Sequence, residues 1–145
     1  MFEVKLINPE MTYEIRHKIL RPMQSIEECK NDTDNEENSF HVGGFYNGQL
    51  VSIVSFCTDN HPDFPHKEQY RLRAMATLED FRRSGAGRAV VNYGEDIIKK
   101  RGANFLWCKG RTSVQEYYIK LGFKAYGEVF SYPPIGAHII MYKEL

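Results

Sequence analysis

Apolar and polar residues alternate weakly over Phe2 to Ile7, the pattern of a strand with one covered face. Asn8 and Pro9 follow, a cap residue and a residue whose fixed φ suits the first helical position. Met11, Ile15 and Ile19 then share one helical face. The helix is expected to end near Arg21-Pro22, because proline disfavours helical backbone in the residue before it. Residues 23–38 are polar and read as a short helix and a mobile loop. Two β-rich runs, Ser39 to Tyr46 and Gln49 to Thr58, flank Asn47-Gly48, the strongest short hairpin signal. Residues 59–67, with Pro62 and Pro65, read as a loop, and Tyr70 to Thr77 as a strand. A helix follows to about Arg101, with Val90, Gly94, Ile97 and Ile98 towards a sheet. Gly94 costs roughly 1 kcal/mol against alanine inside a helix, which predicts close packing at that point.

Asn104 to Lys109 is a short apolar strand containing Trp107. Thr112 to Glu116 fits a capping box in either of two registers. Val114, Tyr117, Tyr118 and Leu121 follow at i, i+3, i+4, i+7, and Gly122 is the expected left-handed end of that helix. Phe123 to Ser131 and Ala137 to Lys143 read as two last strands around Pro133-Pro134. The order predicts an α/β (α+β) fold, a mixed sheet of about six to seven strands with helices on its faces.

The 145 residues suit a single domain spanning 1–145, and 42% hydrophobic content supplies a core. No apolar run approaches the ~20 residues of a membrane span. Met1 to Leu6 lacks a basic region followed by an apolar one, so no secretory signal is expected. Cys29, Cys57 and Cys108 have no metal-ligand spacing and read as reduced thiols, Cys57 and Cys108 in the core, so a cytoplasmic protein without a metal is expected. Zero net charge argues against nucleic acid as a partner. Charge is nevertheless uneven, acidic from Glu27 to Glu37 and basic from Arg82 to Arg88.

The basic run is the most informative segment. Arg82-Arg83-Ser84-Gly85-Ala86-Gly87-Arg88 follows a strand and opens a helix. Glycine admits close approach to the backbone, first-turn N–H groups lack helical partners, and arginine adds charged donors. Together they suit phosphate. A P-loop is excluded, since Gly-x-x-x-x-Gly-Lys is absent. A dinucleotide fingerprint fails at Val90, where Gly or Ala is needed, and lacks an acidic residue ~20 positions on. Arg/Gln-x-x-Gly-x-Gly/Ala is met in full.

That pattern, Ala74 to Phe81 before it, and Tyr117-Tyr118-Ile119-Lys120-Leu121-Gly122-Phe123 after it together resemble the GNAT superfamily of acetyl-CoA-dependent N-acetyltransferases. The resemblance covers essentially the whole chain. It implies two splayed parallel strands, Tyr70–Thr77 and Asn104–Lys109, that admit the pantetheine arm. It assigns CoA contacts to Met75, Ala76 and Thr77, to Arg82, Arg83, Ser84, Gly85, Ala86, Gly87 and Arg88, and to Arg111 and Tyr118. The Met75 N–H is the implied oxyanion donor and Tyr118 the implied acid for the departing thiolate. Arg111 departs from the family, which often has Asn there.

The reaction implied is direct transfer to an amine of a small molecule or peptide in a ternary complex. A covalent step at Cys108 is the minor alternative. His138 is the best histidine candidate for the base, with a structural, hydrogen-bonded role as the competing reading; Glu27, Glu28 and Glu128 stand behind it, solvent or a water chain can also serve, and His41 is read as structural. Arg16, Arg21 and Gln24 are candidate acceptor contacts. Arginines suit an anionic group on the acceptor and the acidic loop suits a polyamine or peptide amine, so the acceptor class stays open. Phe130, Tyr132 and the final strand are the expected contact of a homodimer. A non-catalytic acyl-CoA-binding or regulatory domain is the rival reading, and a nucleotide-binding module the second.

Overall fold

The computed structural model describes residues 1–145. Seven strands form one sheet in the order β1-β2-β3-β4-β5-β7-β6. They are β1 Phe2–Ile7, β2 Phe40–Tyr46, β3 Gln49–Thr58, β4 Tyr70–Thr77, β5 Phe105–Arg111, β6 Lys124–Tyr132 and β7 Gly136–Glu144. Only β4 and β5 run parallel, and the connection between them carries the long helix α2, Ala86–Lys100. Asn47 (φ 48°) and Gly48 (φ 84°) form the β2–β3 turn, where both central residues of a type I′ turn need positive φ.

One face of the sheet packs Val42, Phe56, Leu72, Leu106 and Met141 beneath Val90, Val91 and Ile98 of α2. Tyr118 and Leu121 of the short helix α3, Gln115–Lys120, join the same cluster. A Cβ on Gly94 would strike the Phe56 ring, which is the close packing its position predicts. The opposite face is covered in two places. Ile15 packs on Ile53 and Ala76, with Ile19 and Leu20 beside them. Phe64 of the 59–69 loop packs towards Phe105, Trp107 and Ile140. No helix is long and apolar enough to cross a membrane.

Five local expectations are corrected. The first helix is a rod of changing pitch: 3₁₀ over Pro9–Thr12, α over Tyr13–Ile15 and π over Arg16–Leu20. Asn8 makes no side-chain cap, and Thr12 Oγ1 donates instead to the Pro9 carbonyl at 2.7 Å. The Thr112–Glu116 box also fails to form, because Thr112–Val114 is a 3₁₀ turn and Thr112 Oγ1 points at the Ala137 carbonyl. Val114 and Tyr117 are exposed, so only Tyr118 and Leu121 of the i, i+3, i+4, i+7 set face the core.

The fifth correction concerns the acidic segment, which is anchored rather than loose. Arg16 is 2% exposed and grips Asp34 with two hydrogen bonds, at 2.7 and 2.9 Å. Arg16 also donates to the Cys29 carbonyl and to Ser55 Oγ. Ser55 Oγ lies 2.7 Å from His41 Nδ1, and His41 Nε2 donates to the Asp34 carbonyl at 3.0 Å. Arginine and aspartate are buried like this only when paired. The network ties residues 29–34 to β2 and β3 and gives His41 the structural role its strand position suggests.

Candidate functional site

The site begins where β4 and β5 part. Their register is Tyr70↔Leu106 and Arg71↔Trp107 and goes no further. β5 continues to Arg111 alongside β7, while β4 continues to Thr77 alongside β3. Between Ser55↔Arg73 and Ile53↔Ala76, two β4 residues, Ala74 and Met75, oppose Val54 alone. This is a β-bulge, and Ala74 takes φ 54° within it. A bulge bends its strand and raises the local twist, so β4 curves away from β5 at Met75. The gap opens into a cavity of about 720 Å³.

The Gly-rich turn closes one end. Arg83 (φ 66°) and Gly85 (φ 88°) both lie in the left-handed region, and α2 starts at Ala86. Alternation of such residues curls successive N–H groups into an anion-binding concavity. The first helical bond runs from Ala89 N–H to the Gly85 carbonyl, and Ala86 N–H reaches Ser84 Oγ at 3.3 Å. The Gly87 and Arg88 N–H groups precede the first bonded turn. Arg82, Arg83 and Arg88 are exposed at the mouth, and Arg88 also donates to the Lys120 carbonyl at 3.1 Å. A Cβ on Gly87 would meet the Tyr117 hydroxyl, so this side chain overhangs the turn.

Tyr118 is 8% exposed and lines the cavity. Its ring lies against β5 because residue 110 is glycine: an added Cβ would sit 3.2 Å from Tyr118 Cε2. Phe123 holds the ring edge-on, with centroids 5.6 Å apart. Burial, with Cys108 and Tyr117 adding to it, pushes the phenol well above the ordinary tyrosine range. The side chain is therefore a neutral O–H. Burial likewise pushes the Cys108 thiol up to about 12, which leaves it protonated and unreactive. Cys108 belongs to the core cluster and is not among the residues lining the cavity, which counts against its covalent role.

The other side of the gap carries different chemistry. Arg71 and Arg73 of β4, and Lys109 and Arg111 of β5, alternate with the core residues Leu72 and Cys108, so they project from the face opposite α2. His138 of β7 pairs in register with Arg111 and is 5% exposed. Its Nδ1 lies 2.9 Å from the Gly136 carbonyl. A carbonyl only accepts, so Nδ1 carries a proton, and in the neutral ring Nε2 is the nitrogen with the free lone pair. Tyr132 and Phe130 lie tilted beside the imidazole at centroid distances of 5.0 and 6.0 Å. Both are half-buried, and Val129 is an exposed apolar residue of β6.

The candidate acceptor residues divide. Arg21 lines the cavity and donates to Gln24 Oε1 at 3.3 Å. Gln24 is not part of the cavity wall, and His17 Nε2 holds its carbonyl at 2.7 Å. Arg16 is saturated by Asp34, Ser55 and Cys29 except at Nε, so its expected acceptor role becomes a structural one. Arg111 Nη2 donates to the Leu20 carbonyl at 2.6 Å and latches the end of β5 to the first helical rod. Arg73, Lys109, Tyr132 and Tyr117 were missed. The first two carried a readable signal, since Arg71/Arg73 and Lys109/Arg111 each recur with the strand period of two.

Comparisons with known proteins agree with this geometry. Residues 6–123 match the acetyltransferase (GNAT) family. The Bacillus subtilis protein named uncharacterized N-acetyltransferase YitI is 50% identical across the whole chain and 97% of its own length. FeeM, an N-acyl amino acid synthase from uncultured soil microbes, superposes with a TM-score of 0.80 at 11% identity, over 99% of this chain and 91% of that one. An aminoglycoside 6'-N-acetyltransferase complexed with coenzyme A superposes with a TM-score of 0.69 at 18% identity, over 98% of this chain and 96% of that one. The chain belongs to the acetyltransferase (GNAT) family and is an acyltransferase of the N-acetyltransferase type.

Proposed function

We propose that this enzyme transfers the acetyl group of acetyl-CoA to a primary amine of a small molecule or peptide, by direct attack with both partners bound. The observation that carries the reading is the β4–β5 gap itself. It joins a phosphate-suited turn at one end to Tyr118 on one face of the sheet and His138 on the other. A thioester arm needs a slot bordered by backbone donors and a cationic mouth for its pyrophosphate, and the residues present fit that group. The structure of a fold relative with coenzyme A bound supports the choice of ligand.

In this reading the backbone of Met75, Ala76 and Thr77 lines the arm, while Ser84 and the N–H groups of Gly85 to Arg88 hold the pyrophosphate. Arg82 and Arg83 neutralise its charge, and Arg111 braces the slot. The Met75 N–H stabilises the carbonyl oxygen as negative charge develops there. One such preoriented donor is worth ~2.7–4 kcal/mol of barrier. Tyr118 delivers its proton to sulfur. His138 Nε2 accepts the proton that the acceptor ammonium must lose before it attacks.

Incubating the enzyme with acetyl-CoA and a panel of amines is expected to release free thiol above the slow hydrolytic background. Tight acetyl-CoA binding with no release for any amine would instead establish the non-catalytic acyl-CoA-binding reading. Heat protection by ATP or NAD but not by CoA would establish the nucleotide-binding one. For His138→Ala, kcat is expected to fall ~10²-fold or more and the shape of the pH–rate profile to change. A profile superimposable on that of the wild type would remove His138 as the base.

A further inference from the structure

The acceptor face of the cavity is electropositive beyond what its own carboxylates offset. Arg71 is matched by Asp59 at 3.1 Å and Arg16 by Asp34 at 2.7 Å. Arg73, 17% exposed, has only Asp32 within ion-pair range, at 3.8 Å on a side chain 95% exposed to water. Its other contact is a 3.3 Å hydrogen bond to Thr33 Oγ1. Lys109 makes no ion pair and lies 5.1 Å from the centre of the Tyr132 ring. Arg21 and Arg111 are held by an amide and a carbonyl oxygen, which leave their charge uncancelled. No aspartate or glutamate lines the cavity, since the one buried carboxylate of the acidic segment, Asp34, is turned into the frame.

The Tyr132 phenol reports the same field. Its partial burial alone would raise it, yet Arg73, Lys109 and Arg71 together draw it below the ordinary tyrosine range. Half-buried cations without counter-charge are costly unless a ligand supplies the anion. They also repel an ammonium group, so a polyamine is the acceptor this wall suits least.

We infer that the acceptor carries an anionic group, a carboxylate or a phosphate, beside the amine that is acetylated, and that Arg73 and Lys109, with Arg21 at the rim, receive it. The inference rests on the acetyl-transfer reading and adds its substrate class. Arg73 and Lys109 are specificity residues in this account, lying across the gap from Tyr118 and near the His138–Tyr132 pair. A guanidinium on one strand and an ammonium on the next give two independent charged donors, a geometry that suits the two oxygens of a carboxylate and the three of a phosphate.

The test compares matched acceptors. Amino carboxylates are set against their primary amides, aminoalkyl phosphates against the parent amino alcohols, and a polyamine is included. kcat/KM for the anionic member of a pair is expected to exceed that of its neutral partner by at least about tenfold. Whichever anionic series turns over faster identifies the group. Arg73→Gln and Lys109→Gln are each expected to erase most of that ratio through KM for the acceptor, with KM for acetyl-CoA unchanged. Lys109→Gln serves if the half-buried Arg73 variant folds poorly. Equal or faster turnover of neutral amines or of the polyamine would overturn the proposal while leaving acetyl transfer intact.

Calorimetric titration of an N-acetylated amino carboxylate and of its amide provides a readout independent of turnover. The acid is expected to bind at least about tenfold tighter, and Lys109→Gln to remove the difference. Binding of the acid with no transfer to any amine would refute acetyl transfer alone. Equal affinity of acid and amide would refute the anion site alone.

Discussion

Tyr118→Phe is expected to lower kcat by on the order of 100-fold or more, within the usual ~10²–10⁴-fold contribution of a positioned acid. The Kd for acetyl-CoA is expected to stay within about threefold, since the substitution removes one hydroxyl and leaves the ring. That ring keeps its seat against Gly110 and Phe123. A raised phenol is at first sight a poor acid. The burial that raises Tyr118 acts equally on a thiolate formed beside it, however, because both conjugate bases lose hydration together. The gap between a phenol near ~10 and a thiol near ~8.5 therefore stays small, and collapse of the acetyl–sulfur bond drives the transfer. The direction of the shift also fixes the pH behaviour. Tyr118 keeps its proton through pH 10, so loss of activity between pH 7 and 10 has another origin. Stopped-flow thiol release and acetyl-CoA titration separate the two quantities. A kcat within threefold of wild type, or a fall in affinity that accounts for all of the loss, would take the acid role from Tyr118.

Asp34→Asn is expected to destabilise the fold by about 3–5 kcal/mol, the usual cost of removing one partner of a buried ion pair. For a chain of this size that is a fall in melting temperature on the order of 10 °C. The asparagine has nearly the same shape, so the loss reflects the Arg16 charge left without its counter-ion. Replacing both partners with apolar residues, Arg16→Met with Asp34→Leu, is expected to recover much of the stability. The pH dependence follows from two depressed groups. Burial lowers the His41 imidazole, against the opposing pull of the Asp34 carbonyl and carboxylate. An unfolded histidine takes up its proton below ~6.5 while the folded one does not, so stability begins to fall on acidification through that value. Burial tends to raise Asp34, and the Arg16 hydrogen bonds with the Asn31 N–H outweigh it, holding the carboxyl below its ordinary range. Its contribution is complete above the unfolded value of ~3.9 and is lost as pH falls towards the folded one. Thermal melts of wild type and Asp34→Asn from pH 3 to 8 check both windows. A destabilisation under 1 kcal/mol at neutral pH would sink the account of the buried pair.

The segments legible from sequence are those whose signal is local. Asn47-Gly48 specified its turn because both residues adopt positive φ at little cost. The α2 boundary was readable because Gly85 occupies a left-handed position just before it. Gly94 announced a close approach, and the Phe56 ring makes it. The caps at Asn8 and Thr112 misled because both segments open as 3₁₀ turns without a side-chain cap, and the Thr112 hydroxyl faces the Ala137 carbonyl, twenty-five positions away. Tyr117 misled for a related reason. Its helical spacing marked a face, but α3 is too short for spacing to say whether that face meets the core or the cavity mouth.

By itself the sequence determined the strand and helix order, the phosphate-suited turn, the Tyr118 motif and the family, since each depends on residues close along the chain. Only the tertiary structure decided the fates of Arg16, His138 and the acidic segment. Arg16 and Asp34 are eighteen positions apart, and nothing local says that each cancels the other's charge. Arg73, Lys109 and Tyr132 come from three strands that the sheet order brings together. Charge acts through space, so whether an arginine is a strut or a ligand for substrate depends on which carboxylate the fold sets beside it.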